Sequence, residues 1–517
     1  MNRERTAGEV RLDGYGLRFE DVVAVTRFGA KVELSPGAIE RMEESARIVQ
    51  RHAESDDPVY GVSTGFGSLA TTSIPAERRE QLQLSLIRSH AAGMGNPVEP
   101  EVVRGLMLMR ARSLAMGRSG ARPVVAETLL ALLNAGIIPV VPEYGSLGAS
   151  GDLAPLAHCA MALIGEGEVT GADGTPVPTA EGLRAAGIEP LELRAKEGLA
   201  LINGTDGILG MLVLAICDLE QVLRTADIAA AASVEALLGT DRAFAADLVG
   251  LRPQPGQLAS AENLMRLLAG SEIVASHRHG DPRVQDAYSL RCAPQVLGAA
   301  RDSVDHARRI AEVELDSAID NPMVLPDGRV ESCGNFHGAP LGIACDLLCI
   351  GSAQVGAIAE RRTDRLLDAT RSQGLPPFLA ADPGVDSGMM IAQYTQAAMV
   401  ADNRRLAVPA SSDTVPTSAM QEDHVSMAWN AARKLRRSVA NLERIVAVEL
   451  LCATRGLDLR SPLAPAPATA AALRVVRGEV RGPGPDRWQS PELAMVEEMV
   501  RGGDVLAAVE DEIGELS

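Results

Sequence analysis

Residues 208–238 read ILGMLVLAICDLEQVLRTADIAAAASVEALL. This is one long Ala/Leu pattern with helical character. Similar long patterns cover 293–319, 340–371, 389–406 and 421–455. Repeated helices of this length bury their apolar faces only against antiparallel neighbours. Residues 208–517 therefore read as a large long-helix bundle, closing after Pro462 with a Pro/Ala linker and a helix over 490–508.

Residues 1–207 read as a mixed N-terminal domain. Segments 22–26 and 32–34 suggest short strands. Segment 36–50 suggests a helix with Ser35 as N-cap and Pro36 at its first position. Residues 60–67 are Gly-rich and form a loop, helical periodicity over 78–117 breaks near 93–97, and 166–190 looks like a surface excursion. The fold class is mainly α.

The composition agrees with a folded chain. Of 517 residues, 46% are apolar, 23% charged and only 3% aromatic, so Leu, Ala, Val and Ile fill the core. A net charge of −19 argues against nucleic acid and against an anionic membrane surface. The most apolar stretch, 198–217, contains Asn203, Thr205 and Asp206, which disfavours a membrane span. The first eleven residues lack a signal-peptide h-region. Seven cysteines without a CxxC do not make a disulfide framework, and the expected compartment is cytoplasmic.

Common cofactor motifs are missing. There is no P-loop, no dinucleotide fingerprint and no nucleophile elbow. Of three lysines, only Lys196 lies near a motif-like segment, which disfavours pyridoxal phosphate. His277 and His279 lack a clear third ligand, so they read as part of a polar loop and no metal is expected.

The chemistry points to GSLGASGDLAPL at 145–156. As structure alone, it is a tight turn before a helix, capped by Ser150 or Asp152. A second reading gives each residue a task. The Gly151 nitrogen attacks the Ala149 carbonyl, because an unbranched backbone reaches that strained ring, and Ser150 then loses water. The product is an electrophile made without an external cofactor.

The segment resembles the cofactor-forming motif of the histidine and aromatic amino-acid ammonia-lyases. Other motifs of that family follow in order: YGVSTGFG at 60–67, SHAAG at 89–93, KEGLALINGT at 196–205, QDAYSLR at 285–291, GNFHG at 334–338 and PTSAMQEDH at 416–424. The resemblance spans nearly the whole chain. It implies 4-methylidene-imidazol-5-one (MIO), formed autocatalytically from Ala149, Ser150 and Gly151. It also implies a mainly helical homotetramer with shared active sites, and an amino acid as substrate.

Carried over position by position, Tyr60 is the base for the β-proton, and Tyr288 and Glu422 join the catalytic set. Asn203, Gln285 and Phe336 line the cofactor and substrate, and Arg291 forks the substrate carboxylate. Ser89-His90 resembles the histidine lyases, where tyrosine and phenylalanine lyases carry an apolar Leu. The implied reaction is L-histidine to trans-urocanate and ammonia. Another lyase or a 2,3-aminomutase on a different amino acid is the alternative. One departure is Asp402, where histidine lyases usually carry Glu. It reads either as a pocket brace or as a structural helix residue.

Overall fold

The computed structural model describes residues 8–54, 59–171 and 174–517. In the N-terminal part the elements run β1 (Glu9–Leu12), α1 (Phe19–Phe28), β2 (Lys31–Leu34), α2 (Pro36–Ala53), α3 (Arg79–His90), β3 (Met94–Pro97), α4 (Pro100–Ala115) and α5 (Pro123–Ala135). There follow β4 (Pro142–Tyr144), α6 (Leu153–Leu163), β5 (Glu168–Thr170), β6 (Pro176–Pro178), α7 (Thr179–Ala186) and α8 (Glu197–Ile202). The strands make only two-stranded pairs, β1 with β2 parallel, β3 with β4 and β5 with β6 antiparallel.

The long helices begin with α9 (Asp206–Ala236). After α10 (Ala246–Val249), α11 (Pro255–Leu267), α12 (Glu272–Ser276) and α13 (Tyr288–Arg291) comes α14 (Ala293–Leu315). The pair β7 (Met323–Val324) and β8 (Val330–Glu331) leads into α15 (Ala339–Leu367), α16 (Met390–Leu406) and α17 (Ala428–Asp458). The chain ends with α18 (Pro467–Glu479), α19 (Ser490–Gly502) and α20 (Asp504–Ile513). Helix α9 is apolar on nearly every side because it is the axis of the bundle, packed by α4, α14, α15 and α17. Helix α15 is apolar and long enough to cross a membrane by length and composition, and it packs on α9, α14, α16 and α17.

Local chemistry explains the element ends. Ser35 caps α2 as expected, accepting the Ala38 N–H at 3.0 Å, with Pro36 following. The strand expected at 22–26 is instead the body of α1. Its valines suggest a strand, but Phe19, Val22, Val23 and Thr26 recur at helical spacing and bury one face. The pattern at 421–455 starts as helix only at Ala428, because Met427 sits at φ +54° and the preceding residues form a loop. The helix expected over 490–508 is two helices, broken at Gly503 with φ +80°.

A buried ion pair locks the bundle. Arg362 of α15 holds Glu449 of α17 through two guanidinium nitrogens, both side chains fully buried, and Ser233 of α9 donates to the same carboxylate at 2.8 Å. Removing one partner strands a buried charge. Arg362→Leu is expected to cost about 3–5 kcal/mol, seen as a lower urea midpoint. Replacing Arg362 by Met and Glu449 by Leu together is expected to restore most of that loss.

Candidate active site

The segment 145–152 is folded tightly by its own side chains. The Ser146 hydroxyl lies 3.0 Å from Asp152 Oδ1 and 3.3 Å from the Gly151 carbonyl, and it accepts the Gly148 N–H at 3.1 Å. Gly151 pairs with Gly204 as an isolated bridge, and Asp152 N–H donates to the Gly204 carbonyl at 2.7 Å. Gly151 has φ +73°, and a Cβ there would lie 2.0 Å from the Gly204 oxygen. No other residue fits this position. The other wall is the approach to α17, where the Ser426 hydroxyl donates to the Gly148 carbonyl at 2.8 Å and Met427 N–H to the Leu147 carbonyl at 2.8 Å.

Asp152 joins this segment to the bundle. Its Oδ2 accepts the N–H groups of Gly207 and Ile208, at 2.9 and 3.0 Å, in the first turn of α9. Those donors have no partner within the helix, so the carboxylate caps it from a distance in sequence. Burial, more than the nearby Asp206 charge, pushes the Asp152 carboxyl up to about 7, against its hydrogen bonds.

Three expected residues, Glu422, Tyr60 and His90, are linked to Ser150 by contact or charge, and two more, Phe336 and Asn203, lie on segments that bond the 148–151 turn. The Ser150 hydroxyl donates to Glu422 Oε1 at 3.4 Å, and the Thr417 hydroxyl holds Glu422 Oε2 at 2.7 Å. Tyr60 arrives on the loop packed against 417–422, its hydroxyl accepting the Gly67 N–H at 3.1 Å and its ring edge-on to Phe66. Burial raises the Tyr60 phenol above its ordinary value and the Glu422 charge adds to that, while the Gly67 N–H works the other way. His90 ends α3. Its Nδ1 lies 2.9 Å from the Leu86 carbonyl, which only accepts, so Nδ1 carries the proton and Nε2 is left as an acceptor. Burial lowers the His90 pKa, with Glu422 opposing, so the ring is neutral near pH 7. Phe336 belongs to the turn whose Gly338 N–H reaches the Gly148 carbonyl at 3.5 Å. Asn203 is buried one residue before Gly204.

Gln285, Tyr288 and Arg291 are not part of this cluster. The segment before α13 is tied to the far end of α9, with Arg283 on the Leu237 and Leu238 carbonyls and Asp286 on the Thr240 N–H at 2.7 Å. At about 1.5 Å per residue, the 31 residues of α9 put those ends about 45 Å apart. Tyr288 is 71% exposed, Gln285 is exposed, and the Arg291 guanidinium lies 4.6 Å over the Tyr288 ring.

Several supporting residues had no assigned task in the sequence reading. Ser146 and Thr417 lie inside the quoted motifs, and that position was their only signal; Asp152, expected to cap the helix that follows it, makes no side-chain bond there and caps α9 instead. Lys196 is buried against Asp320 at 2.7 Å, which removes it as a Schiff-base lysine. Asp402 bonds Arg405, Arg437 and Asn441, bracing α16 on α17. His277 lies against the Ile273 and Gly239 carbonyls. Among the described residues no group of three or more His, Cys, Asp or Glu could hold a metal. A cavity of about 1050 Å³ beside Arg27, Asp218 and Arg436 is lined by none of the expected site residues.

Residues 17–478 match the family described as aromatic amino acid lyase. The chain is 59% identical over 503 residues to histidine ammonia-lyase of Streptomyces avermitilis, covering 97% of this chain and 98% of the relative. Among solved structures, tyrosine aminomutase of Streptomyces globisporus superposes with a TM-score of 0.92 at 38% identity, covering 98% of this chain and 100% of the other. Histidine ammonia-lyase of Trypanosoma cruzi superposes with a TM-score of 0.90 at 39% identity, covering 98% and 96%.

The raised Asp152 carboxyl sets a pH dependence. An acid whose folded pKa lies above its unfolded value favours folding most at low pH and loses that contribution as pH rises from about 4 to about 7. Asp152→Asn can keep the Gly207 and Ile208 bonds. Its thermal midpoint, measured against the parent, is expected to match more closely at pH 5 and to gain at pH 8.

Proposed function

The chain belongs to the aromatic amino acid lyase family, and from that membership we propose that it eliminates ammonia from L-histidine to give trans-urocanate. It is a carbon–nitrogen lyase. The observation that carries the substrate assignment is His90, an imidazole whose Nδ1 is tied to the Leu86 carbonyl and which feels the charge of Glu422, the carboxylate that Ser150 donates to and that also acts on Tyr60.

The reaction breaks the Cα–N bond and one Cβ–H bond and forms a carbon–carbon double bond. An amine is a poor leaving group and the β-proton is weakly acidic. We assign the electrophile to MIO derived from Ala149, Ser150 and Gly151, and no external cofactor is invoked. The site's residues suit such a ring, with Gly151 at φ +73° in a cradle that excludes a Cβ. When formed, MIO supplies an electrophilic carbon for the substrate amine.

The side chains divide the remaining work. His90 Nε2 accepts the substrate imidazole N–H. Glu422, fixed by Thr417, accepts a second hydrogen bond or assists proton transfer. Phe336 and Asn203 line the pocket. Tyr60 takes the β-proton. Among the described residues of one chain Tyr60 has a single donor, Gly67 N–H, and its phenol is raised, so the proposed base draws on a cation from another copy.

Arg291 is that cation in the proposal, and it also forks the substrate carboxylate, with Gln285 and Tyr288 beside it. Since these belong to the segment at the opposite end of α9, a helix about 45 Å long, from the one that holds Asp152, they come from other copies in a homotetramer. Exposed apolar residues on the long helices, Val313, Ile343, Ile350 and Ile391, suit such packing. Seven free cysteines suit a reducing, cytoplasmic setting.

Purified protein offered each common amino acid is expected to release ammonia with histidine alone and to form urocanate absorbance. Release with another amino acid, or a β-amino acid product, overturns the substrate. Ser150→Ala is expected to abolish turnover and the near-ultraviolet band of the electrophile while circular dichroism stays unchanged. His90→Leu is expected to shift preference toward phenylalanine or tyrosine, read as the ratio of kcat/KM values. Co-refolding inactive Ser150→Ala with inactive Arg291→Lys is expected to restore activity, as shared sites require. Separately refolded, the two stay inactive.

A further inference from the structure

Asn203 carries an unsatisfied oxygen whose direction is dictated by a buried ion pair. Its amide nitrogen donates to Asp320 Oδ1 at 3.2 Å and to the Asn321 carbonyl at 2.7 Å. Both partners are acceptors, so the amide has one orientation. Its Oδ1 is buried and has no partner. Buried polar atoms nearly always find a partner, and one left open beside a reactive segment awaits a donor.

Asp320 is itself held from three sides. Lys196 Nζ lies 2.7 Å from its Oδ2, and Asn321 N–H donates to its Oδ1 at 2.7 Å. Lys196 also donates to the Ser119 carbonyl at 2.8 Å, and both charged side chains are at most 1% exposed. The Asn321 side chain accepts the Cys333 N–H at 2.8 Å, fixing the turn that presents its carbonyl. A buried pair of this kind contributes little net stability, so its value here lies in orientation. Asn203 precedes Gly204, the residue paired with Gly151.

We propose that Asp320, charge-paired with Lys196, is a positioning residue that holds Asn203 as a hydrogen-bond acceptor for the substrate's α-ammonium group. This rests on the reading of the site as one for an α-amino acid. The donor is the ammonium because a carboxylate offers no hydrogen and the imidazole is taken by His90. A cationic donor also makes the stronger bond to a carbonyl. Asn at 320 can donate as well as accept, so the Asn203 amide is released to turn over.

The test uses full-length Ser150→Ala protein, which binds without turning over. Calorimetry gives Kd for L-histidine and for imidazole-4-propionate, which has the same ring and carboxylate but no amine. Adding Asp320→Asn is expected to weaken L-histidine at least tenfold and leave imidazole-4-propionate unchanged. Lys196→Met with Asp320→Asn removes both buried charges, and is expected to give the same split should the single variant unfold. Equal loss for both ligands, or no loss for either, overturns the proposal. If Ser150→Ala binds neither ligand, the amino-acid reading of the site fails instead.

Discussion

The structure depends on one contact, the Asp152 carboxylate against the first turn of α9. It joins the segment that carries Ser150 to the axis of the bundle, and it does so with backbone N–H groups that have no other partner. The bridge between Gly151 and Gly204 lies beside it and leaves no room for a side chain. The turn is thereby tied to the axis of the bundle at two adjoining points. A flexible loop would not hold Ala149 and Gly151 in the crowded geometry that ring closure demands.

The same helix also separates the site's parts. Its first turn faces Ser150, while its end holds the segment of Gln285, Tyr288 and Arg291. One chain therefore assembles the group proposed to meet the imidazole and the β-carbon, with His90, Tyr60, Phe336 and Glu422. Arg291, proposed for the substrate carboxylate, it presents somewhere else altogether. The electrostatics agree with this division. Around Tyr60 the single chain offers burial and a neighbouring carboxylate, both of which keep a phenol protonated.

Much of this was readable from the residues. Long Ala/Leu patterns with helical period marked the bundle, since burial on several sides leaves few polar interruptions. Ser35 and Pro36 marked the start of α2 through local chemistry. Segment 22–26 misled because β-branched residues favour strands when exposed to no other force, whereas burial of Phe19, Val22, Val23 and Thr26 on one face decided for helix. The break at Gly503 and the late start of α17 at Ala428 depend on backbone angles that no periodicity encodes. The motifs named Tyr60, His90, Ser150 and Glu422, but not what holds them. Lys196, Asn203 and Asp320 are joined across more than a hundred residues, and such contacts exist only once the chain is packed.

The length of α9 has a consequence for the cell. In the proposed reaction a newly folded, solitary chain carries the segment that becomes a strong electrophile, while Arg291, the guanidinium assigned to the carboxylate, belongs to the segment at the other end of α9. Stray amines then meet a site that cannot orient them. With sites shared as proposed, reactivity is withheld until copies meet, and protein concentration acts as a safety catch on chemistry that the chain builds into itself.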